Sequence, residues 1–172
     1  LLPPIRTTRT IGLVSLPTLS ELPPFIQHQI SLGLTSLDES GLPVPALASS
    51  WTATDSGKTY IFTIQDGLRW QDGQLLSAHD IKYNFRDARV EYPDPFHLKI
   101  LLPDPFSPLP SAVTRPVFKK KLIGIGSYRV ARYHLNGPTL ESLTLSPVSN
   151  DSSAPNLRYL FYASENQARL AF

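Results

Sequence analysis

Histidine and carboxylate side chains are the groups in this 172-residue chain that could hold a metal ion or transfer a proton. A zinc site needs several such ligands at short, regular spacing, as in the pattern H-E-x-x-H. The four histidines are instead isolated from one another, at His28, His79, His97 and His134. We therefore interpret each of them as a surface or core histidine, and we predict no metal site.

Turns and caps account for the carboxylates. Asp66 and Asp72 each precede a glycine, which is typical of turns. Asp80 follows Ser77 at the spacing of a capping box, in which two side chains satisfy the first free amides of a helix. Because no motif with a catalytic mechanism occurs, we predict no catalytic residues, and an enzyme is the weakest of three functional hypotheses.

Patterns for binding phosphate or nucleotides are also missing from the sequence. Gly124-Ile125-Gly126-Ser127 lacks the lysine of a phosphate loop and the third glycine of a dinucleotide-binding loop, so we expect no cofactor. The 16 Lys and Arg exceed the 14 Asp and Glu by too little for a nucleic-acid-binding stripe, and the run Lys119, Lys120 and Lys121 is short. The absence of cysteine excludes disulfides and thiolate ligands.

Strands dominate the predicted elements, because seventeen prolines disfavour long helices. Apolar alternation predicts strands over 10–16, 96–102, 127–134, 140–145 and 157–162, and a hairpin over 51–64 whose core side chains are Trp51, Tyr60 and Phe62, with Trp70 nearby. Short helices are expected over 24–33, over 77–85 and from Ser164 to the chain end. Residues 103–116, with five prolines, are expected to be an extended connection.

A more specific pattern runs from Val44 to Phe85. Its members, in order, are Pro45, Leu47-Ala48, Ser50-Trp51, Asp55, Gly57, Tyr60, Gly67, Trp70, Asp72-Gly73, Ala78, Asp80, Tyr83 and Phe85. This ordered set resembles the signature of the extracellular solute-binding proteins of family 5, the dipeptide-, oligopeptide- and nickel-binding components of ABC importers. Pro105-Phe106-Ser107-Pro108 and the run from Gly124 to Tyr128 continue the resemblance.

The resemblance implies an α/β mixed, strand-rich fold, namely the first lobe of a periplasmic-binding-protein-like fold of type II, cluster C. Residues 1–43 would start the main lobe, 44–121 would form a small strand-rich subdomain, and 122–172 would return to the main lobe. Family members are longer and close a second lobe over the ligand, so we expect the chain to be a fragment cut at Phe172. Because the sequence contains no methionine, we also expect that a leader or membrane anchor ahead of Leu1 has been removed.

The resemblance also implies a ligand, a peptide or another small solute held as an extended strand between two lobes. In family members the segment after the first strand lines the cleft, and it corresponds here to Ser20, Glu21, Leu22 and Pro23. The same four residues could instead form only a turn ahead of the helix at Pro24.

Two hypotheses follow from the resemblance. The first is non-catalytic capture of peptides outside the cytoplasm by a monomer that delivers them to the membrane subunits of an ABC permease, with no nucleic-acid partner. The alternative is a degenerate surface module that keeps the scaffold and has a structural or protein-interaction role.

Overall fold

The structure is a computed structural model that describes residues 6–150 and 153–171. The expected removal of a leader ahead of Leu1 and the expected cut at Phe172 concern positions outside these residues. The strands are β1 (Thr8–Val14), β2 (Thr35–Leu37), β3 (Pro43–Pro45), β4 (Ala48–Thr54), β5 (Thr59–Ile64), β6 (Arg89–Asp94), β7 (His97–Leu101), β8 (Tyr128–Asn136), β9 (Thr139–Pro147) and β10 (Asn156–Tyr162). The α-helices are α1 (Pro24–Ile30), α2 (Leu109–Ala112) and α3 (Glu165–Leu170), and single 3-10 turns cover Asp55–Gly57, Ala78–Asp80 and Lys120–Leu122.

The strands form two four-stranded sheets and one small hairpin. The main sheet has the order β1-β10-β9-β8, in which β1 runs parallel to β10 and the other pairs are antiparallel. The second sheet is antiparallel throughout, with the order β4-β5-β7-β6. Strands β2 and β3 pair with each other. The strand-rich mixed fold predicted from the sequence is therefore confirmed.

Each sheet has its own apolar core. The main core packs the buried side of α1, Ile26 and Ile30, against main-sheet residues that include Leu143, Leu145 and Tyr159. The second core lies on one side of the β4-β5-β7-β6 sheet and contains Phe62, Trp70, Leu98, Ile100 and Leu109. Together the two cores bury most of the large side chains that alternate along the strands, as the two-residue period of an extended chain requires.

The hairpin of β4 and β5 follows directly from its sequence. Tyr60, Phe62 and Ile64 occupy every second position of β5 and are all buried, while Trp51 on β4 is half-buried against the same core. Asp55 and Ser56 take positive φ angles in the turn, and the Asp55 carboxylate accepts a hydrogen bond from the Thr59 hydroxyl at 2.7 Å. These observations confirm the predicted hairpin and the predicted core role of its aromatic residues.

The helix predicted over 77–85 is wrong beyond its first turn. The capping box is present, because the Ser77 amide donates to the Asp80 carboxylate at 3.0 Å and the His79 amide donates to the Ser77 hydroxyl. The chain becomes extended at Ile81, whose φ and ψ are −82° and 111°. Ile81, Tyr83 and Phe85 point inward at every second position, which is the period of a strand and not of a helix.

Two further boundaries differ from the prediction. Helix α1 ends at Ile30, before Gly33, because the backbone becomes extended at Ser31, with φ and ψ of −148° and 175°. Gly33 instead packs directly on the backbone of Thr114, where a Cβ would lie 2.5 Å from the carbonyl carbon. The connection over 103–116 is not wholly extended, since it contains α2. Leu109 and Val113 of this segment are buried in the second core, whereas Phe106 is 43% exposed.

Candidate functional site

A small cleft lies where the turn before α1 meets the segment that follows α2. Its volume is about 220 Å³, and the residues that line it are Leu19, Ser20, Leu22, Gln27, Arg115, Pro116, Phe118 and Leu122. The four large apolar residues among them all pack on the main core, so the cleft is a notch at the edge of that core. Pockets that enclose drug-sized ligands span about 300–1,000 Å³, so this cleft can hold only part of such a ligand.

The structure brings two of the four predicted site residues to this cleft. The Ser20 side chain is exposed and its hydroxyl is 2.9 Å from the Thr18 hydroxyl. Leu22 is only 4% exposed and supplies the apolar floor. Both residues line the cleft, so their position is compatible with the ligand-binding role implied by the resemblance.

The other two predicted residues form the turn that leads into α1. The Glu21 amide donates to the Thr18 carbonyl at 3.2 Å, and the Glu21 side chain is exposed beside the cleft without lining it. Pro23 occupies the cap position of α1, where its carbonyl accepts from the amides of Ile26 and Gln27. The turn interpretation therefore describes these two residues well, and a ligand role for the four stays a prediction.

Arg115 is the charged residue in the cleft lining, and the sequence analysis did not identify it. Among the described residues, no carboxylate lies within 4 Å of its guanidinium group. It is exposed and stands next to the apolar floor, where a charge-assisted hydrogen bond to a ligand carboxylate could form. Its separation from Ser20 by more than ninety positions left no local pattern that could have revealed it.

The backbone of Arg115 is held in place by Tyr83. The Tyr83 hydroxyl accepts from the Leu34 amide at 3.1 Å and lies 2.9 Å from the carbonyl oxygens of both Val113 and Arg115, to which it donates. Burial raises the pKa of Tyr83 to about 12, against the smaller opposing effects of the Leu34 amide and the Arg115 charge. The phenol is therefore neutral at physiological pH and acts as a fixed donor under the cleft.

Gln71 hydrogen-bonds the end of α1 and the segment that precedes β8, both of which lie outside the cleft lining. Its Nε2 donates to the carbonyls of Ile30 at 3.0 Å and Tyr128 at 2.7 Å, with Gly126 O at 3.3 Å, and its Oε1 accepts from the Gly124 amide at 3.1 Å. One side chain thus ties the end of α1 to the segment that enters β8. Because α1 carries Gln27 and follows the Ser20 turn, this junction fixes one wall of the cleft.

Two glycines make that junction possible. A Cβ on Gly124 would lie 2.1 Å from the Ile30 carbonyl oxygen, and a Cβ on Gly126 would lie 2.4 Å from the Gln29 carbonyl oxygen. Glycine is therefore required at both positions by close contact with the backbone at the end of α1.

Lys119 connects the segment that follows α2 to the turn at Asp72 and Gly73. Its Nζ donates to Asp72 Oδ2 at 3.2 Å and Gln74 Oε1 at 2.6 Å, and it lies 5.2 Å from the centroid of the Trp70 ring. The Gln74 amide, and then Lys119, hold the pKa of Asp72 below its usual range. Lys119, the first residue of the basic run Lys119–Lys121, therefore has a structural contact that its sequence did not predict.

The histidines remain separate in the structure. His97 Nδ1 lies 2.8 Å from the Asp94 carboxylate, and this hydrogen bond, followed by that from the Phe96 amide, lowers the pKa of Asp94. His134 lies 3.5 Å from Glu141. Within residues 6–150 and 153–171, no three His, Asp or Glu side chains come together as a metal site would need. None of the helices in this part of the chain is long and apolar enough to span a membrane.

Comparison of sequences places this chain among binding proteins. Probable deoxycholate-binding periplasmic protein YgiS of Escherichia coli (strain K12) is 43% identical over 56 residues, 33% of this chain and 10% of that protein. Oligopeptide-binding protein OppA of Bacillus subtilis (strain 168) is 39% identical over 56 residues, with the same coverage. Glutathione-binding protein GsiB of Salmonella typhi is 26% identical over 168 residues, 70% of this chain and 33% of that protein. The chain thus spans a tenth to a third of these curated relatives.

Solved structures share the fold over nearly the whole chain. NikZ from Campylobacter jejuni, in complex with Ni(L-His), superposes with a TM-score of 0.74 at 22% identity, covering 95% of this chain and 41% of that one. OppA from Haemophilus influenzae, in complex with the peptide RPPGFSPFR, gives a TM-score of 0.75 at 16% identity, covering 96% and 44%. These structures establish the periplasmic-binding-protein-like fold, and less than half of each is represented here.

The family assignment rests on a sequence match. The matched region includes the hairpin, Trp70, the capping box, Arg115 and the two glycines before β8. Residues 43–140 match the middle region of one family of binding proteins and make up more than half of the chain. The chain belongs to the bacterial extracellular solute-binding proteins, family 5.

Proposed function

We propose that this chain captures a peptide or a similar small solute outside the cytoplasm and that the cleft beside α1 forms part of the binding surface. The observation that carries the proposal is the exposed Arg115 guanidinium, which has no described carboxylate within 4 Å, next to the apolar floor of that cleft. The relatives support it, because they are named as binding proteins for peptides and other small solutes.

The chemistry of the cleft favours a ligand that carries a carboxylate next to an apolar group. Arg115 supplies the positive charge, Ser20 supplies a hydroxyl, and Leu22 with Phe118 supplies apolar contact. A peptide terminus has these features, and so does an acidic side chain. Because the cleft encloses only about 220 Å³, the ligand would need a second wall, which corresponds to the second lobe expected from the resemblance.

The wider proposal concerns partners and location. As a member of this family, the chain would act without catalysis, as a monomer, and would deliver its ligand to the membrane subunits of an ABC permease. An N-terminal anchor and the division into residues 1–43, 44–121 and 122–172 stay predictions. The binding step needs the second wall, so its test uses a protein that includes the second lobe.

Calorimetric titration with the tripeptide Ala-Ala-Ala and its C-terminal amide tests the role of Arg115. A charge-assisted hydrogen bond at an exposed site is worth about 1 kcal/mol, so the amide is expected to bind about fivefold more weakly than the free acid. The variant Arg115→Gln should bind both peptides equally. Arg69→Gln is the matched control, because Arg69 is exposed, lies outside the cleft and hydrogen-bonds the Gly73 carbonyl.

Two outcomes would contradict the proposal. If Arg115→Gln keeps the full preference for the free acid, the guanidinium does not contact the ligand carboxylate. If no peptide binds at millimolar concentration to a folded protein that includes the second lobe, capture by this cleft is refuted and the protein-interaction alternative is favoured.

A further inference from the structure

A strained turn forms part of the rim of the cleft beside α1. Lys121 and Leu122 have φ angles of 63° and 57°, in the left-handed region that residues with a side chain rarely adopt. The two residues reverse the chain, so that the Lys119 amide donates to the Ile123 carbonyl at 2.9 Å. Because glycine is the residue that accepts this conformation without cost, the turn needs support from the structure around it.

Hydrogen bonds hold both ends of this turn. On one side, Lys119 Nζ donates to Asp72 Oδ2 at 3.2 Å and to Gln74 Oε1 at 2.6 Å. On the other side, the Gly124 amide donates to Gln71 Oε1 at 3.1 Å, and the Gly124 carbonyl accepts from the Gln71 amide at 3.0 Å. One loop of the chain therefore fixes the two ends of the turn relative to each other.

The turn brings Leu122 into the cleft lining. Leu122 is half-buried and packs on the main core together with Leu19, Leu22 and Phe118, which line the same cleft. Arg115 lines it as well. One cationic group and four apolar side chains thus border a single volume of about 220 Å³, which is smaller than the space that a drug-sized ligand fills.

The C-terminal residue of a peptide matches this combination of groups. Its carboxylate and its side chain leave the same Cα atom, so both can occupy one small cleft. An acidic side chain matches less well, because the apolar group must then come from a neighbouring residue, and successive side chains of an extended peptide point to opposite sides. The geometry therefore distinguishes two ligand types that the charge of Arg115 alone does not separate.

We propose that the cleft beside α1 recognises the C-terminal residue of a peptide and selects an apolar side chain there. Arg115 pairs with the terminal carboxylate, while Leu122 and Phe118 contact the side chain. Leu122 is then a specificity-determining residue, and the strained turn holds it in place before the ligand binds, which avoids the cost of ordering it. This inference rests on the proposed function, since it names the part of the ligand that the cleft would hold.

Calorimetric titration of a protein that includes the second lobe tests this inference with two isomeric peptides. Ala-Ala-Leu and Leu-Ala-Ala have the same composition, but only the first places its leucine at the C-terminus. Each buried CH₂ group strengthens binding about fourfold, so a partly buried leucine side chain should make Ala-Ala-Leu bind about tenfold more tightly than Ala-Ala-Ala. Leu-Ala-Ala should stay within about twofold of Ala-Ala-Ala, because its leucine lies away from the cleft.

Truncating Leu122 tests whether this residue makes the selection. Leu122→Ala should reduce the preference for Ala-Ala-Leu to about threefold or less, while the affinity for Ala-Ala-Ala changes by less than about twofold. Leu42→Ala is the matched control, because Leu42 is 62% exposed and lies outside the cleft lining. This control should keep the full preference.

Two substitutions of Lys121 test the turn while Leu122 stays unchanged. Both remove the same charge, but glycine accepts a φ of 63° and a β-branched residue does not. Lys121→Gly should therefore keep the preference for Ala-Ala-Leu, whereas Lys121→Val should lower it at least threefold.

The inference is overturned if Ala-Ala-Leu and Leu-Ala-Ala bind equally, if Leu122→Ala keeps the full preference, or if Lys121→Gly and Lys121→Val behave alike. These results leave the proposed function intact as long as Ala-Ala-Ala binds and prefers the free acid through Arg115. If Ala-Ala-Ala does not bind at all, the proposed function is refuted together with this inference.

Discussion

Replacing Gln71 with alanine should remove the hydrogen bonds that connect this residue to the end of α1 and to the segment before β8, and so destabilise the fold. The Gln71 amide nitrogen has two hydrogens for three nearby carbonyls, of which Tyr128 O at 2.7 Å and Ile30 O at 3.0 Å are the closer pair. With the bond from the Gly124 amide to Oε1, three hydrogen bonds are made at one time. At a net value of about 1 kcal/mol each, Gln71→Ala should lower the free energy of unfolding by about 3 kcal/mol.

That loss is large enough to measure by two methods. In a chain of this length it corresponds to a fall in Tm of roughly 6–12 °C. Urea unfolding followed by tryptophan fluorescence gives the free energy directly, since Trp70 is 2% exposed in the fold. Gln71→Glu keeps the size of the side chain but sets a carboxylate against the same carbonyls, so it should be no more stable than Gln71→Ala.

Gln74→Ala is the matched control, because Gln74 is exposed and its side chain accepts a hydrogen bond from the surface residue Lys119. Surface contacts of this kind contribute about 0–1 kcal/mol. If Gln71→Ala and Gln74→Ala unfold within about 0.5 kcal/mol of each other, Gln71 does not hold the junction and the reasoning is refuted.

Two other predictions concern the same region. Gly124→Ala should lower the free energy of unfolding by about 2–4 kcal/mol, because the new methyl group would lie 2.1 Å from the Ile30 carbonyl oxygen. The control Gly137→Asn, at an open position with a φ of 60°, should lower it by less than about 1 kcal/mol. Similar losses for the two variants in urea unfolding would contradict this account. Tyr83 should ionise near pH 12, later than the ordinary value of about 10, as followed by tyrosinate absorbance against Tyr83→Phe. Since the raised pKa means that the fold favours the neutral phenol, its contribution to stability is complete below pH 10 and is lost as the pH rises from 10 through about 12. An equal alkaline loss of stability in Tyr83→Phe would show that this residue is not responsible.

Strands were predictable here because their signal is local. Tyr60, Phe62 and Ile64 alternate within six residues, and Ser77 with Asp80 specifies a cap within four. The same local reasoning failed at Ile81, where a good helix start preceded a two-residue apolar period. The segment is extended because Ile81, Tyr83 and Phe85 pack against the second core, so the capping box is followed by a single helical turn.

The candidate site was less predictable, because it depends on long-range contacts. Ser20 and Leu22 were found through the family resemblance, whereas Arg115 and Gln71 were not found at all. Nothing in the local sequence indicates that Gln71 contacts Ile30 or that Arg115 lies beside Ser20, because those contacts are set by the packing of α1 on the main sheet.

The most direct test of solute capture is a map of amide chemical shifts during titration with Ala-Ala-Ala, in a labelled protein that includes the second lobe. The account predicts that, within the residues described here, saturable shifts are concentrated at Ser20, Leu22, Gln27, Arg115 and Phe118, with the amides of β8 and β10 unchanged. Shifts spread over the second sheet, or none at saturating peptide, would show that the cleft beside α1 is not a binding surface.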